Sequence, residues 1–312
     1  MHISIKKTLS IQLLILLGGL QAILAQSSVD VEKNFTGINK IEINGGPLEV
    51  SYIGGTDIQE INLNAFLESN RSGLDIVFVT IGDVLKVSYQ SNNTKWSGSE
   101  NTKGYIKISG PESIALNAKN SSGTLRVQNV LGNKTYLSVS SGKITANAIQ
   151  GDLSAKSSSG HIEVDGVVGS VDCTLTSGMA SLQNISGDLI YSASSGSLNA
   201  SNVDGRAEIK MGSGMARLKN IGELGPLKLS SGSFRADNAG LGSETSLAGT
   251  SGSFTIQTPS NLKDFNYNMK ASSGMLKVGS ISGGRNLDID NGSQHTVKGS
   301  ISSGLISISN ED

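Results

Sequence analysis

A Ser-Gly step recurs along most of this chain, at Gly123, Gly142, Gly160, Gly178, Gly196, Gly214, Gly232, Gly252 and Gly274. The intervals are 19, 18, 18, 18, 18, 18, 20 and 22 residues, and a further 18 and 12 lead to Gly292 and Gly304. A fixed period of this length marks a repeat architecture, in which each unit buries its apolar face only against its neighbours.

The apolar residues keep to fixed columns within the period. Leu125, Ile144, Ile162, Ala180, Leu198, Ala216, Phe234, Phe254 and Leu276 stand two residues after the glycine. Val127, Ala146, Val164, Leu182, Ala200, Leu218, Ala236, Ile256 and Val278 stand four after it. Polar residues fill the positions between, and alternation of period two is the strand signal. A second glycine often follows nine residues on, at Gly132, Gly151, Gly169, Gly187 and Gly205, so each unit reads as strand, turn, strand, turn. The chain is therefore expected to be all-β: a parallel β-solenoid (β-helix) of about nine 18-residue coils with an N-terminal β-rich cap. Coils stacked in sequence order would make a rod about 45 Å long, tapering through the short unit Gly292–Gly304. The 39 glycines answer the demand for sharp turns, and no helical periodicity follows them to build a phosphate-cradling loop.

Three segments follow from this pattern: 1–25, 26–120 and 121–312. Residues 1–25 carry Lys6 and Lys7 before an apolar run ending at Ala25, the pattern of a secretory signal peptide rather than a membrane span. The sequence predicts export to the periplasm, cell surface or exterior, with no membrane span in the mature chain. Residues 26–120 lack the period but alternate over Ile41–Ile43, Leu48–Ile53, Ile58–Leu67, Leu74–Ile81, Val84–Tyr89, Tyr105–Ile108 and Ile114–Ala118. Gly82-Asp83 reads as a hairpin turn between two of these runs. Residues 121–312 carry the repeats. Removing Lys6 and Lys7 with the leader leaves 23 basic and 26 acidic groups, a near-neutral balance that does not point to nucleic acid.

Coils such as SSSGHIEVDGVVGSVDCTLTSGMASLQNISGDL, behind a leader and a short β-rich segment, resemble the secreted "putative adhesin" β-solenoid families, which include auto-transporter adhesin head domains. The resemblance spans about Val29 to Ser309. It implies a solenoid with an adhesive or envelope-stress role and brings no catalytic residues with it.

Candidate chemistry is sparse. His161, Glu163 and Asp165 share one face by period two, and a hydrated strand face is the preferred reading. Cys173 falls in an inward column and reads as core. Asp288, Asp290 and Asn291-Gly292 lack calcium-loop spacing. Asn-x-Ser/Thr triplets at Asn34, Asn120, Asn184 and Asn199 are given no weight. Arg217 and Arg235 share an outward column with Lys277, and Trp96 lies in a polar loop; Trp96, Arg217 and Arg235 are the candidate ligand contacts. No catalytic residue, metal set or cofactor is expected. The function class that fits is a non-enzymatic secreted or envelope protein presenting a side face or loops to a glycan, a cell-surface protein or a second copy of itself. An envelope-stress binding component is the alternative, and a polysaccharide-lyase-like β-helix enzyme ranks below both.

Overall fold

The computed structural model describes residues 27–92 and 102–310. It is all-β apart from one 3-10 turn at Leu262–Asp264. The N-terminal strands are β1 (Ser27–Phe35), β2 (Lys40–Asn44), β3 (Glu49–Gly55), β4 (Ile61–Ser69), β5 (Leu74–Ile81), β6 (Val84–Ser91) and β7 (Thr102–Pro111). Every alternating run expected in this region contains a strand, that over Ile58–Leu67 only from Ile61, and β1 adds one more. The hairpin at Gly82 joins β5 to β6 in antiparallel register, with Ile81 opposite Val84 and Gly82 at φ +60°.

The coils wind through β8 (Ala115–Val168), β9 (Val171–Ile185) and β10 (Leu189–Thr258). Register advances by one period per coil: Ala155 pairs with Cys173 and Cys173 with Tyr191, while Ile162 pairs with Ala180 and Ala180 with Leu198. The ladders pass round corners because specific residues accept the backbone there. Gly178 has φ +127°, and a Cβ on it would lie 2.0 Å from the Gly160 carbonyl oxygen below. Only glycine serves both demands.

The inward columns form one continuous core from Ile38 to Ile308. Cys173 is fully buried in it, and burial pushes its thiol well above the usual range, so it is packing material rather than a nucleophile.

Both ends depart from sequence order. Three C-terminal strands precede the last one: β11 (Asn266–Val278), β12 (Ile281–Gly283) and β13 (Asn286–Ile289). The last, β14 (Thr296–Asn310), inserts between β10 and β11 in parallel with both. Gly304 therefore sits over Gly252 and Gly274 over Gly304, while Gly292 lies outside the glycine stack. The expected taper is thus corrected: β12 and β13 fold back antiparallel along the outer edge of β11. The N-terminal end repeats the device. The β2–β3 coil lies between β8 and the β6–β7 coil, and the antiparallel strands β5 and β4 cover the latter. Reversing strand direction at an end breaks the repeat that would otherwise invite further parallel coils.

Candidate functional site

A groove of about 760 Å³ runs along the rod axis beside the Ser-Gly corner. Three rows of residues line it, one from each of five consecutive coils. One wall is Thr174, Ser192, Lys210, Lys228 and Ala248. The other is Thr176, Ser194, Gly212, Ser230 and Thr250. Between them runs Leu175, Ala193, Met211, Leu229 and Gly249, the first four of them buried. Four strand spacings give the groove a length of about 19 Å. The two wall rows are two residues apart on each strand, so their backbones stand about 7 Å apart.

The groove lining holds two lysines, many hydroxyls and no carboxylate or imidazole. Lys210 and Lys228 are exposed and make no salt bridge among the described residues. The same outward row continues to Lys156, which pairs in register with Thr174, and to Lys270, which pairs with Ser300 beside Ala248. The carboxylates two residues along the strand from the lining are already engaged: Glu208 meets Arg206 at 3.1 Å, and Asp172 accepts from the Thr174 hydroxyl at 3.5 Å.

Other polar clusters serve the fold. At the opposite corner Asn184, Asn202, Asn220 and Asn238 all adopt positive φ, and each of the last three amides donates to the one below at 2.9–3.0 Å. Asp152, Ser170 and Asp188 form a second ladder, each side chain accepting from the backbone N–H one coil above. His161 Nε2 lies 2.9 Å from Glu163, and Lys143 approaches the same carboxylate at 2.8 Å. The Lys143 ammonium, chiefly, holds the Glu163 carboxyl below its ordinary range. Asp165 is not part of that trio, since it accepts from the Asn184 amide at 2.6 Å. Among the described residues no group of three or more His, Cys, Asp or Glu is placed to hold a metal.

Trp96 and the leader 1–25 lie outside the described residues. Arg217 and Arg235 fall on adjacent coils, both exposed, on the far side of the Ser-Gly corner from the groove. Arg235 is engaged by Asp237, whose two oxygens lie 3.0 and 3.1 Å from its Nε. Lys277 stands further along the same column, separated from Arg235 by Thr255 of β10 and by Ser307 of the inserted β14.

A family model for Toastrack DUF4097 matches residues 38–309. The chain belongs to this family. A Toastrack relationship of this extent covers β2 through β14 and accounts for the all-β architecture. A solved "putative adhesin" from Bacteroides fragilis NCTC 9343 is 15% identical over 91% of this chain and 97% of its own, with a TM-score of 0.35. A "putative lipid binding protein" from Parabacteroides distasonis ATCC 8503 is 11% identical over 92% and 97%, with a TM-score of 0.31. A "putative cell adhesion protein" from Clostridium sporogenes ATCC 15579 is 12% identical over 91% and 100%, with a TM-score of 0.22. No curated protein matches the chain. Toastrack membership supplies the architecture, and function has to be argued from the site.

Sequence reasoning missed the groove lysines, although a signal was present. Lys156, Lys210, Lys228 and Lys270 each stand four residues before a glycine of the stack.

Proposed function

We propose that this Toastrack chain is a non-enzymatic, adhesin-like binding module, exported by residues 1–25, that seats an extended glycan along its axial groove. In this reading residues 26–120 close one end of the rod and 121–312 supply its repeated face. One observation carries the proposal: the three groove rows repeat with the coil spacing over five coils. A site built for one bond-breaking event gathers unlike residues at one point. A wall of hydroxyls at even spacing, on four of the five coils, instead offers similar contacts to successive units of a chain. An extended 1,4-linked pyranose chain advances by roughly one strand spacing per sugar, so successive sugars meet successive coils.

The test uses purified protein on immobilised polysaccharides, scoring retention and newly formed reducing ends together. Retention without new ends is expected, lost in Ser194→Trp, which puts an indole into the groove from its exposed wall while leaving the buried row untouched. Release of ends overturns the non-enzymatic reading. Retention that Ser194→Trp leaves unchanged overturns the groove as the site.

A further inference from the structure

Resting on that reading, we infer that the occupant is an acidic glycan, a uronate or sulfated chain whose anionic groups are met by Lys210 and Lys228 on one wall. Lys210 and Lys228 stand on adjacent coils with no acidic partner, and a cleft lined by charge of one sign concentrates its counterion. Lys156 lies three coils before Lys210, and Lys270 three coils beyond Lys228 in stacking order. Three strand spacings are about 14 Å, so the positive charge recurs along the path of a single bound chain. The protein as a whole carries a formal net charge of −1, so this charge is a local property of the row and not a general basicity.

Width and lining choose among polyanions. Walls about 7 Å apart exclude an α-helix, whose diameter with side chains is about 10–12 Å, and a nucleic-acid duplex is wider still. Single-stranded nucleic acid is held by aromatic platforms under its bases, and no aromatic residue lines the groove. An extended acidic peptide would also fit the width, but it meets the second wall only through its backbone amides. That row, broken only at Gly212, presents the hydroxyls of Thr176, Ser194, Ser230 and Thr250, which both donate and accept and match the ring hydroxyls of a sugar chain.

The experiment measures binding of the full chain to oligogalacturonate, dextran of equal length, poly-glutamate and a single-stranded oligonucleotide. Wild type is compared with Lys210→Gln/Lys228→Gln, Arg217→Gln/Arg235→Gln and Ser194→Trp. All altered side chains are solvent-exposed, and an unchanged thermal transition verifies the fold. Oligogalacturonate is expected to bind at least about tenfold more tightly than dextran, and to weaken as salt rises from about 50 to about 300 mM. The lysine double variant should cost about tenfold and the arginine double variant nothing measurable. Equal dextran binding, still lost in Ser194→Trp, overturns the acidic occupant while leaving the groove reading intact. Equal binding of poly-glutamate or the oligonucleotide overturns the glycan assignment. Oligogalacturonate binding lost in the arginine variant and kept in the lysine variant moves the site off the groove. Absence of all binding overturns both readings.

Discussion

At the scale of single residues, three buried tyrosines separate hydrogen bonding from burial. Tyr52, Tyr191 and Tyr267 are all but fully buried. The Tyr52 hydroxyl donates to the Pro111 carbonyl at 2.5 Å, whereas those of Tyr191 and Tyr267 find no partner among the described residues. An unmet buried hydroxyl costs free energy, and its removal leaves a ring of nearly the same shape. Tyr191→Phe is therefore expected to be neutral or stabilising, while Tyr52→Phe loses about 0.5–1.5 kcal/mol in urea unfolding. Burial also raises all three phenols, Tyr267 to about 12. Because the folded value lies above the unfolded one, this contribution is complete below the ordinary phenol value of 10.0 and is lost as pH rises through the folded value. Three of the six tyrosines should thus stay silent in a phenolate absorbance titration up to pH about 11, ionising only as the chain unfolds. Equal losses from Tyr191→Phe and Tyr52→Phe would show that the Tyr191 hydroxyl is satisfied after all.

At the scale of elements, strands and corners differ in how openly the sequence declares them. Strands were legible because burial on one face imposes period two, which neighbouring residues display directly. The asparagine corner is as regular, standing six residues after the glycine, yet an Asn there also fits a chance Asn-x-Ser triplet such as Asn184. Its cause is a left-handed backbone, φ 52–59° at Asn184, Asn202, Asn220 and Asn238, which asparagine tolerates better than most residues. Side-chain amides then pair from coil to coil because the same corner repeats. Asn202→Ala forfeits both ladder bonds and strains the backbone, for an expected loss of about 2–4 kcal/mol. Asn202→Gly keeps the conformation and should lose about half as much. Ala148 already occupies the same corner at φ 52°, so Ala148→Asn should raise the unfolding midpoint. Identical losses for the alanine and glycine variants of Asn202 would place the whole effect in the hydrogen bonds. The groove was less legible than either. Its rows were written in the sequence, but which corner brings two rows into facing walls is a property of the wound chain.

At the scale of the whole molecule, the stacking order of the coils is not encoded by the repeat. A parallel ladder accepts any unit with the right alternation, and the units around Gly252, Gly274 and Gly304 share one. Sequence order is the default expectation because neighbouring units meet first, at the least loop-closure cost. The segment after β11 decides otherwise: β12 and β13 return antiparallel on its outer edge and leave its inner edge for β14. The last strand is then paired on both sides, and neither β10 nor the chain end presents an open parallel edge there. Cysteine pairs can distinguish the two orders, because disulfides form only between Cα atoms within about 7 Å. Ser303 is in register with Ser251 on one side and Ser273 on the other, and all three are exposed. Ser251→Cys/Ser303→Cys and Ser273→Cys/Ser303→Cys span one strand spacing each and should oxidise readily. Ser251→Cys/Ser273→Cys spans two spacings, about 10 Å, and should stay reduced in the folded monomer. The native Cys173 is buried and will not compete. Reduced and oxidised forms of each variant separate by mass after alkylation, so the readout does not depend on stability. Sequence-order stacking would exchange two of these outcomes, oxidising Ser251→Cys/Ser273→Cys and leaving Ser251→Cys/Ser303→Cys reduced. Insertion of the final strand instead links both neighbours through Ser303 and leaves the outer pair apart.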